Sequence, residues 1–235
     1  MRANSHRRWW RANPFHGRST QSYADRPSLV LVLLLVNAAF FVAEGLFGAY
    51  LFEWFALWPV VTSHAVPGLG LGEPIPGFWP WQLVSYAFLH GNLLHLLFNM
   101  FALWMFGTEM ELAWGSRRLG IYYFVCVVGA GLVQLLVASM ASRHGYVYPT
   151  VGASGGVFGL LLAFGMTFPD RIVVLLFPPI PMKAKWLAVG FGAIELLAGV
   201  TGMAAGIAHF AHLGGMLFGY LLIRYWRARW PRARG

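Results

Sequence analysis

Charge is scarce in this sequence. Of its 235 residues, 11% are Asp, Glu, Lys or Arg, less than half of the roughly 25% usual in soluble domains. A water-soluble globule could not cover itself with so few, and a hydrophobic content of 58% points to lipid as the solvent for most of the surface. Cysteine is nearly absent too. Cys126 stands alone, which excludes an intrachain disulfide scaffold and a zinc-thiolate cluster. Acids are outnumbered, 8 against 17 basic residues, giving a formal net charge of +9. A nucleic-acid partner would require those cations beside a soluble fold with interleaved aromatics, and their positions, given next, exclude it.

Long apolar runs fill most of the chain. The first, 29–50, is long enough to cross about 30 Å of hydrocarbon at about 1.5 Å per residue. A long first loop follows, rich in Pro, Gly and Trp and too broken to span, suited to the membrane interface. Further spans are expected at 82–107, 118–140, 154–168, 185–203 and 207–226. The fourth is short, so it should begin or end inside the bilayer. Six spans put both termini on one side, and the loops agree: 16 of the 17 basic residues fall on the side of the termini, leaving only Arg143 opposite. By the excess of Lys and Arg in cytoplasmic loops, that side is cytosolic. The expectation is an all-α polytopic membrane protein: a basic cytosolic tail over 1–27, a six-helix membrane domain over 28–226, and a second basic tail over 227–235. No secretory signal peptide is expected. The Arg-rich start has some character of a mitochondrial transit peptide, but Trp9, Trp10 and two early prolines make a poor amphipathic helix. A bacterial plasma membrane is the preferred location.

Polar residues inside a membrane helix are costly and mark function by default. They are His90, Asn92, His95 and Asn99 in the second span, Gln134 in the third, Ser154 in the fourth, Glu195 in the fifth, and His209 and His212 in the sixth. His95 and Asn99, four residues apart, share a helix face. Span polarity puts His95, Asn99, Ser154 and His212 at one depth, in the outer half of the bilayer. Gly155 to Gly159 and Gly215 to Gly219 are GxxxG spacings, which let helix backbones approach closely, as a Ser–His hydrogen bond needs. At a helix N-terminus, Ser154 would present free N–H groups and the positive dipole end to an oxyanion. Alone, the GASGG run reads more readily as a small-residue packing turn, and His212 as a polar helix contact. The joint pattern reverses that.

Taken in order, Trp81-Gln82, His90-Gly91-Asn92, His95-Leu96-Leu97-Phe98-Asn99, Glu111 with Gly115-Ser116, Gly152-Ala153-Ser154-Gly155 and Ala211-His212-Leu213-Gly214-Gly215 resemble the motifs of the rhomboid family of intramembrane serine proteases. The matches run over 29–226. The resemblance implies a rhomboid-like bundle and a Ser–His dyad with no third acidic residue. Ser154 would be the nucleophile and His212 the general base; the Ser154 backbone N–H and the side chains of His95 and Asn99 would hold the oxyanion. His90 would arrange water or the first loop. Trp81, Glu111, Phe158, Gly152, Gly155, Gly215 and Gly219 would be supporting residues. The substrates would be transmembrane proteins entering from the bilayer, with no cofactor and no metal.

Two departures stand out. Many relatives have Tyr where this chain has Phe158, so a ring can stack on His212 without a hydroxyl contact. The family's frequent Trp-Arg is here Trp81-Gln82, which removes a charge that could pair with Glu111 or a lipid phosphate and puts the anchoring of the loop in question. Loop 201–206, rich in Gly and Ala, is a candidate lid.

Two rival readings compete with this one. A non-proteolytic rhomboid-like client binder would typically lack the nucleophile or base, and both are retained. A metal site or transporter could use His90, His95, His209 and His212, but Leu96 stands where an HExxH motif needs Glu, and no acid is expected at the depth of these histidines. Glu195 is expected nearer mid-membrane, neutral and hydrogen-bonded to a neighbouring helix.

Overall fold

The computed structural model describes residues 28–60, 76–175, 179–202 and 208–229. The N-terminal tail, the middle of the first long loop, the end of the chain and most of the candidate lid at 201–206 lie outside them. In chain order the elements are α1 (Leu29–Phe55), α2 (Gln82–Ser85), α3 (Leu93–Trp114), α4 (Ser116–Ser142), α5 (Ser154–Thr167), strands β1 (Ile172–Val174) and β2 (Pro181–Lys183), α6 (Ala184–Thr201) and α7 (His209–Arg229). Helices α1, α3, α4 and α6 are long and apolar enough to cross a membrane. Helix α5 has only 14 residues, and α7 has 21 and carries Arg227 and Arg229 in its last turn.

The expected second span differs most. Residues 82–107 do not form one helix: α2 gives way to a 3₁₀ turn at Tyr86–Phe88, Leu89 is extended, and the long helix begins only at Leu93. Asn92 is the reason, because its side chain accepts from the His95 N–H at 2.9 Å and caps the new helix. Helix α3 then runs past Gly107 to Trp114, where Gly115 at φ 80 ends it in a conformation glycine adopts freely. The all-α expectation is corrected in one place. Between α5 and α6 the chain pairs β1 with β2 antiparallel, Ile172 opposite Lys183, a short hairpin favoured by its Ile-Val-Val run.

Helix α1 is held at its N-terminus by Glu111. Its carboxylate accepts from Ser28 Oγ (2.5 Å), the Leu29 N–H (2.7 Å), the Val30 N–H (3.2 Å) and Ser116 Oγ (2.6 Å). An acid here satisfies orphan donors and complements the positive end of the helix dipole. The same end of the bundle gathers described basic residues: Arg171 forms a two-pronged ion pair with Glu109, the Arg118 guanidinium sits 4.5 Å from the centre of the Trp226 ring, and Lys185 pairs with Asp170 at 2.9 Å. Two lysines at Asp170 hold its carboxyl below the usual range. Arg143 ends α4 at its opposite terminus.

At the centre α4, α5 and α7 pack on glycine. A Cβ at Gly215 would fall 1.9 Å from the Gly155 carbonyl oxygen, and one at Gly159 would fall 2.4 Å from Cys126 Sγ. The two GxxxG faces therefore meet backbone to backbone, and the buried Cys126 sulfur fills space beside Gly159 and Gly219. Tyr122 and Tyr86 lie in the core with their hydroxyls satisfied, donating to the carbonyls of Gly159 and Val127 at 2.8 Å each.

Candidate active site

Helix α5 begins at Ser154, preceded by Ala153 in helical conformation without a side-chain cap. The first N–H groups of the helix thus lack intrahelical acceptors. His212 lies on the first turn of α7, and the Gly155–Gly215 contact brings the two helix starts together. The consequence is a short contact: His212 Nε2 lies 2.7 Å from Ser154 Oγ. With Nδ1 carrying the ring proton, the serine hydroxyl donates to Nε2. The Phe158 ring lies flat on the imidazole, with centroids 4.2 Å apart and planes 4° from parallel.

Gly152 opens the other side of the site. Its φ of +119° suits glycine alone, and a Cβ there would sit 2.6 Å from His95 Cε1 and 3.7 Å from Asn99 Nδ2. His95 and Asn99, on one face of α3, therefore both reach the loop two residues before Ser154. The loop is pinned by the Gly152 N–H donating to the Tyr86 carbonyl at 2.9 Å and by a pair of 2.9 Å bonds between Leu57 and Thr150. Asn99 is buried, and its Nδ2 donor has no acceptor among the described residues. The His90 ring, also buried, stands edge-on to His95 at 5.1 Å with neither nitrogen hydrogen-bonded among the described residues, while its backbone N–H donates to Glu44 at 2.9 Å.

Ser154, His212, His95, Asn99, His90, Phe158, Gly152, Gly155 and Gly215 thus lie in one neighbourhood. Glu111 does not. It sits near the far end of α3, about 18 Å along the helix from Asn99 at 1.5 Å per residue. A pairing of residue 82 with Glu111 is accordingly ruled out by position. Gln82 anchors the loop without charge: fully buried, it accepts from the N–H groups of Trp58 and Trp79 at 3.2 Å and donates to the carbonyls of Trp54 and Gly77 at 3.4 Å. Trp81 lies outside the site, stacked on Trp79 and donating to the Trp54 carbonyl at 2.9 Å.

One residue lies closer to the site than its sequence position suggests. Glu195 is not remote from the histidines: Oε2 lies 2.6 Å from His209 Nδ1 and 2.9 Å from His212 Nδ1. The expectation that no acid shares their depth is overturned. The signal was available, because α6 and α7 are joined by a short connection, so a residue under two turns before the end of α6 comes level with the start of α7. Among the described residues these three side chains, and not the histidine quartet of the rival metal reading, place potential ligand atoms within 4.8 Å of one another. One carboxylate and two imidazoles are a donor set that zinc accepts, but the Glu195–His209 hydrogen bond and the Glu195–His212 charge contact also account for the cluster without an ion.

A bundle of apolar helices is that of a polytopic integral membrane protein, and this one brings a Ser–His pair together at two helix starts. Residues 78–229 match the family model of the Rhomboid domain, and the chain belongs to the rhomboid family. It is 35% identical over 147 residues to "Rhomboid protein 1, mitochondrial" of Saccharomyces cerevisiae, covering 60% of this chain and 40% of the relative. To "Rhomboid protease GlpG" of Yersinia pestis it is 31% identical over 151 residues, covering 63% and 49%. To "RHOMBOID-like protein 4" of Arabidopsis thaliana the identity is 31% over 169 residues, covering 69% and 38%. The matched regions span less than half the length of each of these relatives.

Proposed function

We propose that this protein is an intramembrane serine endopeptidase that hydrolyses peptide bonds within or beside transmembrane segments of other membrane proteins. The observation that carries the reading is the 2.7 Å contact between Ser154 Oγ and His212 Nε2 at the start of two helices packed on glycine. Membership of a family that includes a relative named as a protease supports it.

In this reading His212 Nε2 takes the Ser154 proton as Oγ attacks the scissile carbonyl carbon. The carbonyl oxygen becomes an oxyanion facing the Ser154 N–H and the side chains of His95 and Asn99; the unpaired Asn99 Nδ2 is a donor in search of such an acceptor. Collapse of the tetrahedral intermediate breaks the C–N bond, and His212 gives its proton to the leaving amine. Water, deprotonated by His212, then attacks the acyl-serine ester and releases the acid. A substrate segment must unwind to expose its carbonyl. Hydrolysis also requires water to reach Ser154 at the start of the short α5.

Helices α5 and α7 complete six crossings with α1, α3, α4 and α6, with the membrane domain over 28–226. The arginine-rich end faces the cytosol and the site opens to the other side. A bacterial plasma membrane is the preferred home; the mitochondrial relative in yeast makes the mitochondrial inner membrane the alternative. The test is cleavage of a transmembrane model substrate by the purified full chain in liposomes. Wild type should cut and take a fluorophosphonate label on Ser154, whereas Ser154→Ala and His212→Ala should do neither. Cleavage that survives either substitution refutes the dyad.

A further inference from the structure

His212 has two ring nitrogens, and the serine uses one. For Nε2 to accept the Ser154 proton, the neutral imidazole must carry its hydrogen on Nδ1. That nitrogen is buried, since His212 is 8% exposed and Phe158 covers one ring face. A buried donor needs an acceptor. The group at hand is the Glu195 carboxylate, 2.9 Å away. Its approach is bent from the N–H axis, so that by strict hydrogen-bond geometry Nδ1 has no partner among the described residues; the contact acts mainly through charge.

Glu195 is held in turn. Its Oε2 also lies 2.6 Å from His209 Nδ1, a well-directed bond from the residue one turn before His212. Helix α6 thus presents one carboxylate oxygen to two imidazoles on the first turn of α7, and both partners are buried. An acid in a membrane helix is costly unless it is paired. Here it is paired with the group that becomes positively charged during the reaction. No Asp or Glu other than Glu195 is in ion-pair contact with His212 among the described residues.

Resting on the dyad reading above, we propose that Glu195 is a positioning residue for the base: it selects the Nδ1–H tautomer of His212, fixes the ring toward Ser154 and stabilises the imidazolium formed when Ser154 attacks, while His209 holds the carboxylate in place. The dyad implied by the family resemblance becomes, in this chain, a Ser154–His212–Glu195 arrangement.

The full chain in liposomes, with a transmembrane model substrate, provides the test. Glu195→Gln keeps the volume and removes the charge; Glu195→Ala removes the contact; Glu195→Asp restores a carboxylate on a shorter arm. Loss of an orienting acid costs serine proteases up to about 10⁴ in kcat, and the bent contact here predicts a smaller loss, about 10- to 100-fold. The loss should fall on kcat, leave KM within about twofold, and appear equally in the rate of fluorophosphonate labelling of Ser154. Glu195→Asp should recover part of both rates. Wild-type kcat and labelling in Glu195→Gln, even with a lowered melting temperature, would reduce Glu195 to a polar staple between α6 and α7 and overturn the proposal. Loss of wild-type activity on chelation, restored by added zinc, would overturn it in favour of a metal ligand. Should Glu195→Ala fail to fold, Glu195→Gln decides. Ser154-dependent cleavage indifferent to Glu195 sinks this inference alone, whereas a wild type with no Ser154-dependent activity sinks the protease reading with it.

Discussion

Gly215→Ala is the smallest change that should separate the Ser154–His212 pair. The added Cβ would sit 1.9 Å from the Gly155 carbonyl oxygen and 2.7 Å from its carbon, where real Cβ contacts start at 3.0 Å. Both opposing atoms are backbone, so no side chain can swing away. Helices α5 and α7 must part by about 1.1 Å to restore contact. Ser154 immediately precedes Gly155, and His212 lies one turn before Gly215, so most of that movement reaches the reacting atoms. A 2.7 Å hydrogen bond stretched to nearly 4 Å is no longer one. Misplacement of this size costs about 10²-fold in rate, and overpacking of a well-filled core costs about 1–3 kcal/mol. Cleavage of a transmembrane substrate in liposomes, fluorophosphonate labelling and thermal unfolding in detergent read the three effects. Gly190→Ala in α6 is the control, because a Cβ there meets nothing within 4 Å. Wild-type rate and melting temperature in Gly215→Ala would refute the glycine-contact account of how the pair is assembled.

Three further outcomes are expected. Asn99→Ala should lower kcat by about 10- to 1000-fold, as one of several oxyanion donors, with the folded state retained; an unchanged single-turnover rate would remove Asn99 from that role. Phe158→Ala should cost about 2- to 12-fold in kcat, the rate equivalent of the roughly 0.5–1.5 kcal/mol of a stacked pair, while Phe158→Leu should recover less than Phe158→Tyr; equal rates in all three would show that the stack does not orient His212. Glu111→Ala strands the Leu29 and Val30 N–H groups at the start of α1, and an unsatisfied donor costs about 1–3 kcal/mol. A lowered melting temperature with unaltered kcat is the expected readout, since Glu111 lies far from Ser154.

The span pattern and the glycine-flanked serine were legible because they rest on local regularities. Apolar length sets which segments can cross lipid, and α4, α5, α6 and α7 start or stop within a few residues of the expected limits. The break before α3 falls at the polar His90-Gly91-Asn92, but the apolar residues on either side still satisfy the length of one span; the capping side chain of Asn92 decided it. The hairpin at β1 and β2 escaped for the same reason, its Ile-Val-Val run being as apolar as a helix.

By itself the sequence determined a membrane protein with its cations gathered at one end and Ser154, His95, Asn99 and His212 at the other, because charge placement, helix period and glycine spacing are properties of the chain taken a few residues at a time. Tertiary structure alone decided which groups meet. Glu111 caps α1 rather than serving the loop, Gln82 holds that loop with neutral hydrogen bonds, and Glu195 reaches both His209 and His212. Such contacts depend on the rotation and close approach of helices far apart in sequence. The GxxxG spacings are local, but which face each one meets is decided only in the folded bundle, where Gly215 packs on Gly155.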